Sequence, residues 1–444
     1  MTQVKRWLML VCLFASSAVA VLAQDRFPDG TSLRLLQWHH FVPRYDEWFD
    51  SWARDWGQVN NVAVTVDHVN LAELPSSLAS GIGAGSGYSI YEMPLPSATF
   101  VDGLRDLRDL NQLARERLGE QLPYCRASAY LPTTDTWYGF VATQVVNHGN
   151  YDIVLWEEAG YPAGPQSWSD LLETGALIYE NTGIPVGIGI SPEPDSEMAL
   201  RSVIWSFGGS VQDDDENVVL NSPATVAAVE YLAELHRRAM TDEVFGWGPP
   251  SNNQALIAGE ASFILNPNSA YRSLQKLDEG AASLIGLSGA LAGPAGAYFG
   301  TNVLTHVIPA YVEGAEWEAA QRFLLDYLAN YNDALWHSEL YNLPCYPASA
   351  TELDTWLSED PFGSQPMDKF RFLANVREWS AQLGYPGAVN PAISQVYAEN
   401  LLPKMVAKVA LGEMSVAESV ARTHEQIEAI FAGWRARGLV GGGT

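Results

Sequence analysis

The feature that most constrains this chain is a near-continuous alternation of strand-like and helix-like stretches, which argues for α/β domains. Ser32 to Trp38 (SLRLLQW) reads as a first buried strand. Phe41 to Trp56 then sets Phe41, Tyr45, Trp48, Phe49, Trp52 and Trp56 at helical spacing, with Asp46, Glu47, Asp50 and Arg54 opposite. That pattern predicts an amphipathic helix whose aromatic stripe is core. Val62 to Val69 alternates as a second strand, Leu71 to Ser80 reads as a helix, and Tyr88 to Met93 as a strand. The same rhythm continues through Trp137–Val146, a helix opened by Ser167 and closed at Gly183, and a strand over 184–190. Ser222 and Pro223 cap a further helix, Ala261 to Leu265 is a strand, and two C-terminal helices are expected. The first runs from Ser394 to Leu411; the second starts at a capping box formed by Ser415 and Glu418. The Gly441-Gly442-Gly443 tail is expected to be disordered.

The N-terminus bears on where the fold begins. Lys5 and Arg6, the apolar run Trp7–Phe14 and the small residues up to Ala23 have the three parts of a secretory leader, with cleavage expected before Gln24. The apolar run is too short to span a membrane. Removing 1–23 leaves 421 residues (444 − 23) and takes away two basic side chains, moving the net charge from −27 to about −29. That length predicts two or three domains. So acidic a chain repels phosphate backbones and anionic membranes, which excludes nucleic-acid binding. Two cysteines remain, Cys125 and Cys345; an exported chain either joins them or keeps two buried thiols.

Motifs of catalysis are missing. There is no Gly-x-Ser-x-Gly, no His-Glu-x-x-His and no Walker loop. Gly81 to Gly87 (GIGAGSG) leads from a helix into a strand, the reverse of a dinucleotide-binding order. His39 and His40 are adjacent, so their side chains point apart and chelate poorly, and no spaced partner follows them; no metal site and no cofactor are expected. Asp213 to Asn217 lacks the glycine and distal glutamate of a calcium loop and reads as a solvated turn between two strands. Paired carboxylates of a glycoside hydrolase are set by space rather than spacing, so a secreted glycosidase stays as an alternative class.

Several segments together resemble the family-1 extracellular solute-binding proteins, of the carbohydrate type that includes maltose-binding protein. They are Gln37–Pro43 (QWHHFVP), Tyr88–Pro94 (YSIYEMP), Pro185–Pro194 (PVGIGISPEP), Met198–Ser210 (MALRSVIWSFGGS), Leu256–Pro267 (LIAGEASFILNP), Tyr341–Pro344 (YNLP) and Leu411–Ser415 (LGEMS). They stand in the family's order across nearly all of the chain after the leader. Two departures are Tyr151–Trp156 (YDIVLW), without the usual basic pair, and Ser89-Ile90 in place of Pro-Asp-Ile.

The resemblance implies a two-lobed periplasmic-binding-protein fold of type II, hinged between lobes. One lobe would hold 24–141 and 302–340, the other 142–301 and 341–444. It implies a monomeric, periplasmic or extracellular receptor of an ABC importer, not an enzyme, that closes on a sugar or oligosaccharide and delivers it to the permease's transmembrane subunits. Sugars are bound by planar polar groups and stacking rings. The expected contacts, on loops at strand ends, are Trp38, His39, Glu193, Asp195, Trp247, Asn252, Asn266, Tyr341, Asn342, Tyr385, Asn390 and Tyr397; the last aligns with a stacking tryptophan of the family. A cationic ligand such as a polyamine is the alternative, with Glu193, Asp195 and Glu92 as counter-charges.

Overall fold

The computed structural model of the protein describes residues 26–443, so the expected leader lies outside the described residues. Two main sheets organise the chain. The first is seven-stranded and mixed. Ser32–Trp38 is flanked in parallel by Ala63–Val69 and Ile90–Met93, so the three strands end at one edge. Phe299–Val307 joins antiparallel to Ile90–Met93 and to Phe140–Val146, and Leu343–Pro344 closes the far side. The second sheet has four strands, in the order Ile285–Ser288, His148–Asp152, Phe263–Asn266, Val186–Gly187.

Consecutive strands Phe140–Val146 and His148–Asp152 lie in different sheets, so the chain crosses between bodies at Asn147. It returns along Phe299–Val307, whose first residues also pair with Ser380–Ala381. Residues 142–146 and 343–344, which the limits expected at 141/142 and 340/341 assign to the second lobe, are strands of the first sheet. The apolar cores do not part cleanly by sheet. Leu343 to Leu373 packs in the first cluster, together with Leu256, Tyr271 and Leu274 and with Ile264 and Ile285 from strands of the second sheet. Leu383 onward packs with the second cluster.

Local rules explain most elements. The aromatic stripe heads a helix over Pro43–Asn60, stopped by Asn61 in the left-handed region. Tyr45, Phe49 and Trp56 are core, and Trp48 and Trp52 pack against it. Phe41 precedes the first helical proline and is 38 % exposed, so it leaves the stripe. The glycines at 81–87 are mostly the last turn of the helix Leu74–Ala84, where Gly85 takes φ +65° and returns its N–H to Gly81 and Ile82. Ser167, Ser222 and Ser415 all cap helices as expected. The single helix expected over 394–411 is two, Pro391–Ala398 and Leu401–Ala410, broken where Asn400 turns left-handed at φ +51°.

Two expectations fail through tertiary contact, and one open alternative is decided by it. The acidic turn at 213–217 bridges only Gln212 to Val218 rather than joining strands. It is not wholly solvated either: Glu216 is buried, accepting from Thr133 and Asn390. The glycine tail docks there too, with Gly441 N–H on Glu216, Gly443 N–H on Asn217 at 2.9 Å, and Arg435 Nε donating to the Gly441 carbonyl at 2.8 Å. The cysteines are joined: Cys125 and Cys345, 220 positions apart, form a buried disulfide with Cα atoms 5.9 Å apart.

Candidate functional site

Ligands of α/β proteins collect beyond the carboxyl ends of parallel strands. Here Trp38 ends the first strand, Leu71 follows the second and Pro94 and Leu95 follow the third, all lining one cleft. Phe41, Asn302, Leu304 and Val145 complete that wall; Asn302 and Val145 are register partners. The opposite wall is Pro194, Asp195, Pro249, Asn266 and Pro267, with Tyr341 beside them. A second void shares Pro94, Leu95 and Asn302 and reaches Met198 and Tyr397. A third shares Asp195 and runs under Glu193, Trp247 and Asn252. The cleft is therefore apolar and aromatic with a few polar groups, a composition suited to small-molecule binding.

Those polar groups are held. Asn252 Nδ2 donates to Asp195 Oδ2 at 3.1 Å, to the Leu265 carbonyl at 3.3 Å and to Asn266 Oδ1 at 3.4 Å. Asn266 in turn donates to Ser269 Oγ at 3.2 Å and to Asn253. Trp38 Nε1 is buried and has no hydrogen-bond partner among the described residues. It is a free donor at the cleft, a cost that a ligand oxygen would remove.

The first turn of the helix Pro194–Ser206 carries Glu193, Asp195 and Glu197, where the helix dipole favours negative charge. Glu193 is the N-cap and accepts the N–H of Asp195 at 2.7 Å and that of Ser196. Burial raises its pKa against those bonds. Burial, then repulsion from Glu193, drives the Asp195 carboxyl well above its usual range. Glu197 is pushed to about 7 by burial, partly offset by Arg201 at 3.1 Å. Burial and Asp195 together hold the Tyr341 phenol up, and Tyr397 is raised by burial and then by Glu197, Glu193 and Asp195.

The expected contacts thus divide. Trp38, Asp195, Asn266 and Tyr341 line the main cleft, Tyr397 the second void, and Glu193, Trp247 and Asn252 the third. Four do not line these voids. His39 is exposed and stacks on His68. Asn342 is fully buried with both amide atoms unpartnered among the described residues. Tyr385 bonds Tyr298 Oη at 3.1 Å and packs on Trp205. Asn390 is the N-cap of its helix and bonds Gln212 and Glu216, a structural duty set by the following Pro391. Glu92 is also away from the cleft, enclosed between His40 and His306.

A profile described as "Bacterial extracellular solute-binding protein" matches residues 47–361. The chain belongs to this family. A comparison with curated proteins finds no match. Solved structures share its fold at low identity. Maltose-bound MalE3 of T. maritima has a TM-score of 0.73 and 18 % identity, covering 90 % of this chain and 100 % of that one. A Synechococcus sp. protein in complex with zinc scores 0.76 at 18 % identity, covering 90 % and 100 %. A sugar transporter of Arthrobacter chlorophenolicus with bound laminaribiose scores 0.73 at 15 % identity, covering 90 % and 99 %. These likenesses fit the α/β, two-sheet architecture of the solute-binding protein described above. Among the described residues no helix is long and apolar enough to cross a membrane.

Sequence reasoning missed Phe41, Leu71, Pro249 and Asn302. Phe41 was absorbed into the helical stripe, and only the proline two residues on signals that it lies outside. Asn302 belongs to a strand returning from the second sheet, a placement no local pattern reveals.

Proposed function

We propose that this solute-binding protein is the exported receptor of an ABC importer for a sugar or oligosaccharide. It binds the sugar in the cleft between the two sheets and hands it unchanged to the permease, acting as a monomer outside the cytoplasm after loss of residues 1–23. The observation that carries the reading is that Trp38, Tyr341, Asp195 and Asn266 line one cleft, with the two polar groups held from behind by Asn252. Rings stack on the apolar face of a sugar while amide and carboxylate atoms take its hydroxyls. A polyamine is less well served. Of its three expected counter-charges, Glu92 is buried elsewhere and Glu193 is occupied in capping its helix.

The test is a thermal-shift panel of sugars, polyols and polyamines on the purified chain. A true ligand at one hundred times its Kd stabilises by about 2.7 kcal/mol, a shift of several degrees. Chromatography of the mixture afterwards should return the sugar intact. Stabilisation by polyamines alone, steeply weakened by salt, overturns the sugar reading. Consumption of the sugar overturns the receptor.

A further inference from the structure

We propose that His39, Asp46 and His68 form a site for one zinc-type divalent transition-metal ion at the rim of the cleft. The residues come from separate places: the loop after the first strand, the first turn of the following helix, and the end of the parallel neighbour strand. The register sets Gln37 opposite His68, so the two strand ends lie side by side. One ligand atom from each residue lies within 4.8 Å of the others, and the imidazoles of His39 and His68 stack at 5.5 Å. Four-coordinate zinc holds its ligand atoms roughly 3.4 Å apart, from bonds of about 2.1 Å. A small rotation of the exposed His39 supplies the difference.

The remaining atoms of these side chains are already committed in the sense a metal requires. His68 Nε2 lies 2.9 Å from Asp50 Oδ1, and a proton there leaves Nδ1 as a lone pair. That lone pair faces Asp46 Oδ2 at 3.8 Å and the Trp38 carbonyl at 3.4 Å, an assembly of acceptors that a cation satisfies. Asp46 Oδ1 is taken by His40 Nδ1 at 2.6 Å, and Oδ2 accepts the His40 amide N–H at 3.2 Å, which fixes the carboxylate with a remaining lone pair of Oδ2 for a cation shared with His68. A carboxylate behind a histidine is the usual orienting partner of a metal-bound imidazole. Two imidazoles with one carboxylate favour zinc over calcium or magnesium. The exposure of His39 leaves the fourth position to water.

The site adjoins the ligand cleft. Trp38, Phe41 and Leu71, all lining residues, lie within three positions of His39 or His68. A bound ion therefore ties together the two segments that form that wall, and ion and cleft ligand should each alter the other's affinity.

The test is calorimetric titration of ZnCl2 into the untagged, chelator-stripped chain, with CaCl2 and MgCl2 as controls. One zinc per chain and no heat from calcium or magnesium is expected. Asp50→Asn should weaken zinc binding about 10–100-fold, and His39→Ala by more, since it removes a ligand and not its support. Both side chains are partly or fully exposed, so the variants should melt like the parent. No stoichiometric zinc binding overturns the site. So does binding that His39→Ala leaves unchanged.

Discussion

Deprotonating His40 should cost this protein about 3 kcal/mol of stability, a loss that builds up between pH 6.5 and 9. Burial of the ring lowers its pKa, but Glu92 and Asp46 outweigh burial and raise it from 6.5 to about 9. Nδ1 sits 2.6 Å from Asp46 Oδ1, and Nε2 sits 3.4 Å from Glu92 Oε2. The difference of 2.5 units between those two values, at 1.36 kcal/mol each, gives about 3 kcal/mol. The folded state holds the proton more tightly than the unfolded chain does. The stabilisation is therefore complete below pH 6.5 and is lost as pH rises through 9. Two other groups change over the same range: Lys369, whose pKa burial lowers to about 8, restores stability as pH rises past 8, and Glu197, raised by burial to about 7, loses a little more, so the test is a comparison with a variant. His306, lowered by burial, is already neutral there, while Tyr45 and Tyr327, raised by burial, add a further loss only above their unfolded value of 10. The assay is urea unfolding followed by tryptophan fluorescence at pH 6.5 and 9.5 in EDTA, which keeps any metal at Asp46 out of the comparison. Asp46→Asn removes one of the two counter-charges and should shrink the alkaline loss. A pH-dependent change that is equal in parent and variant would refute the reasoning.

Three further outcomes are expected. The bridge Cys125–Cys345 closes a loop of 220 positions. The double change Cys125→Ala, Cys345→Ala should cost about 2–5 kcal/mol in a urea titration, and a cost below about 1 kcal/mol would show that the loop is restrained by other contacts. Arg272 and Asp360 form a buried bidentate pair at 2.8 and 2.9 Å that pins the helix Ser269–Leu277 to the segment around 360. Asp360→Asn should destabilise by about 3–5 kcal/mol by leaving the guanidinium under-compensated, measured in the same titration. Trp38→Ala should weaken sugar binding at least about tenfold while Asn390→Ala lowers the melting temperature and leaves affinity unchanged, because only the first lines the cleft; an affinity loss in Asn390→Ala would contradict that division.

What the sequence disclosed depended on the range of the interactions involved. Strands such as Ser32–Trp38 and the caps at Ser167, Ser222 and Ser415 are decided within a few residues and were legible. The glycine tail was not, because nothing near Gly441 indicates that Glu216 waits 225 positions away. The disulfide was undecided for the same reason. Which sheet receives a crossing strand such as Phe140–Val146 is not legible either, because every residue of it is buried, Thr143 and Gln144 included.

The helix start at 193–197 shows how far spacing alone can sort neighbouring side chains. Glu193, Asp195 and Glu197 share one composition and one turn, and sequence reasoning gave the first two the same role. The geometry gives each a different one. The N-cap position obliges Glu193 to turn back onto the amides of Asp195 and Ser196. Glu197, one turn on, faces inward and must take Arg201 as its counter-ion. Only Asp195, placed between a cap that repels it and an amide of Asn252 that orients it, presents its carboxylate to the main cleft. Burial, and then that repulsion, raises the Asp195 pKa well above its usual range. Affinity for a neutral sugar should survive in Asp195→Asn, which keeps an acceptor oxygen at that position, while Asp195→Ala loses it. Comparing the three proteins by titration with the sugar found in the thermal panel checks this. A collapse of binding in Asp195→Asn would mean that the negative charge itself is what the ligand needs.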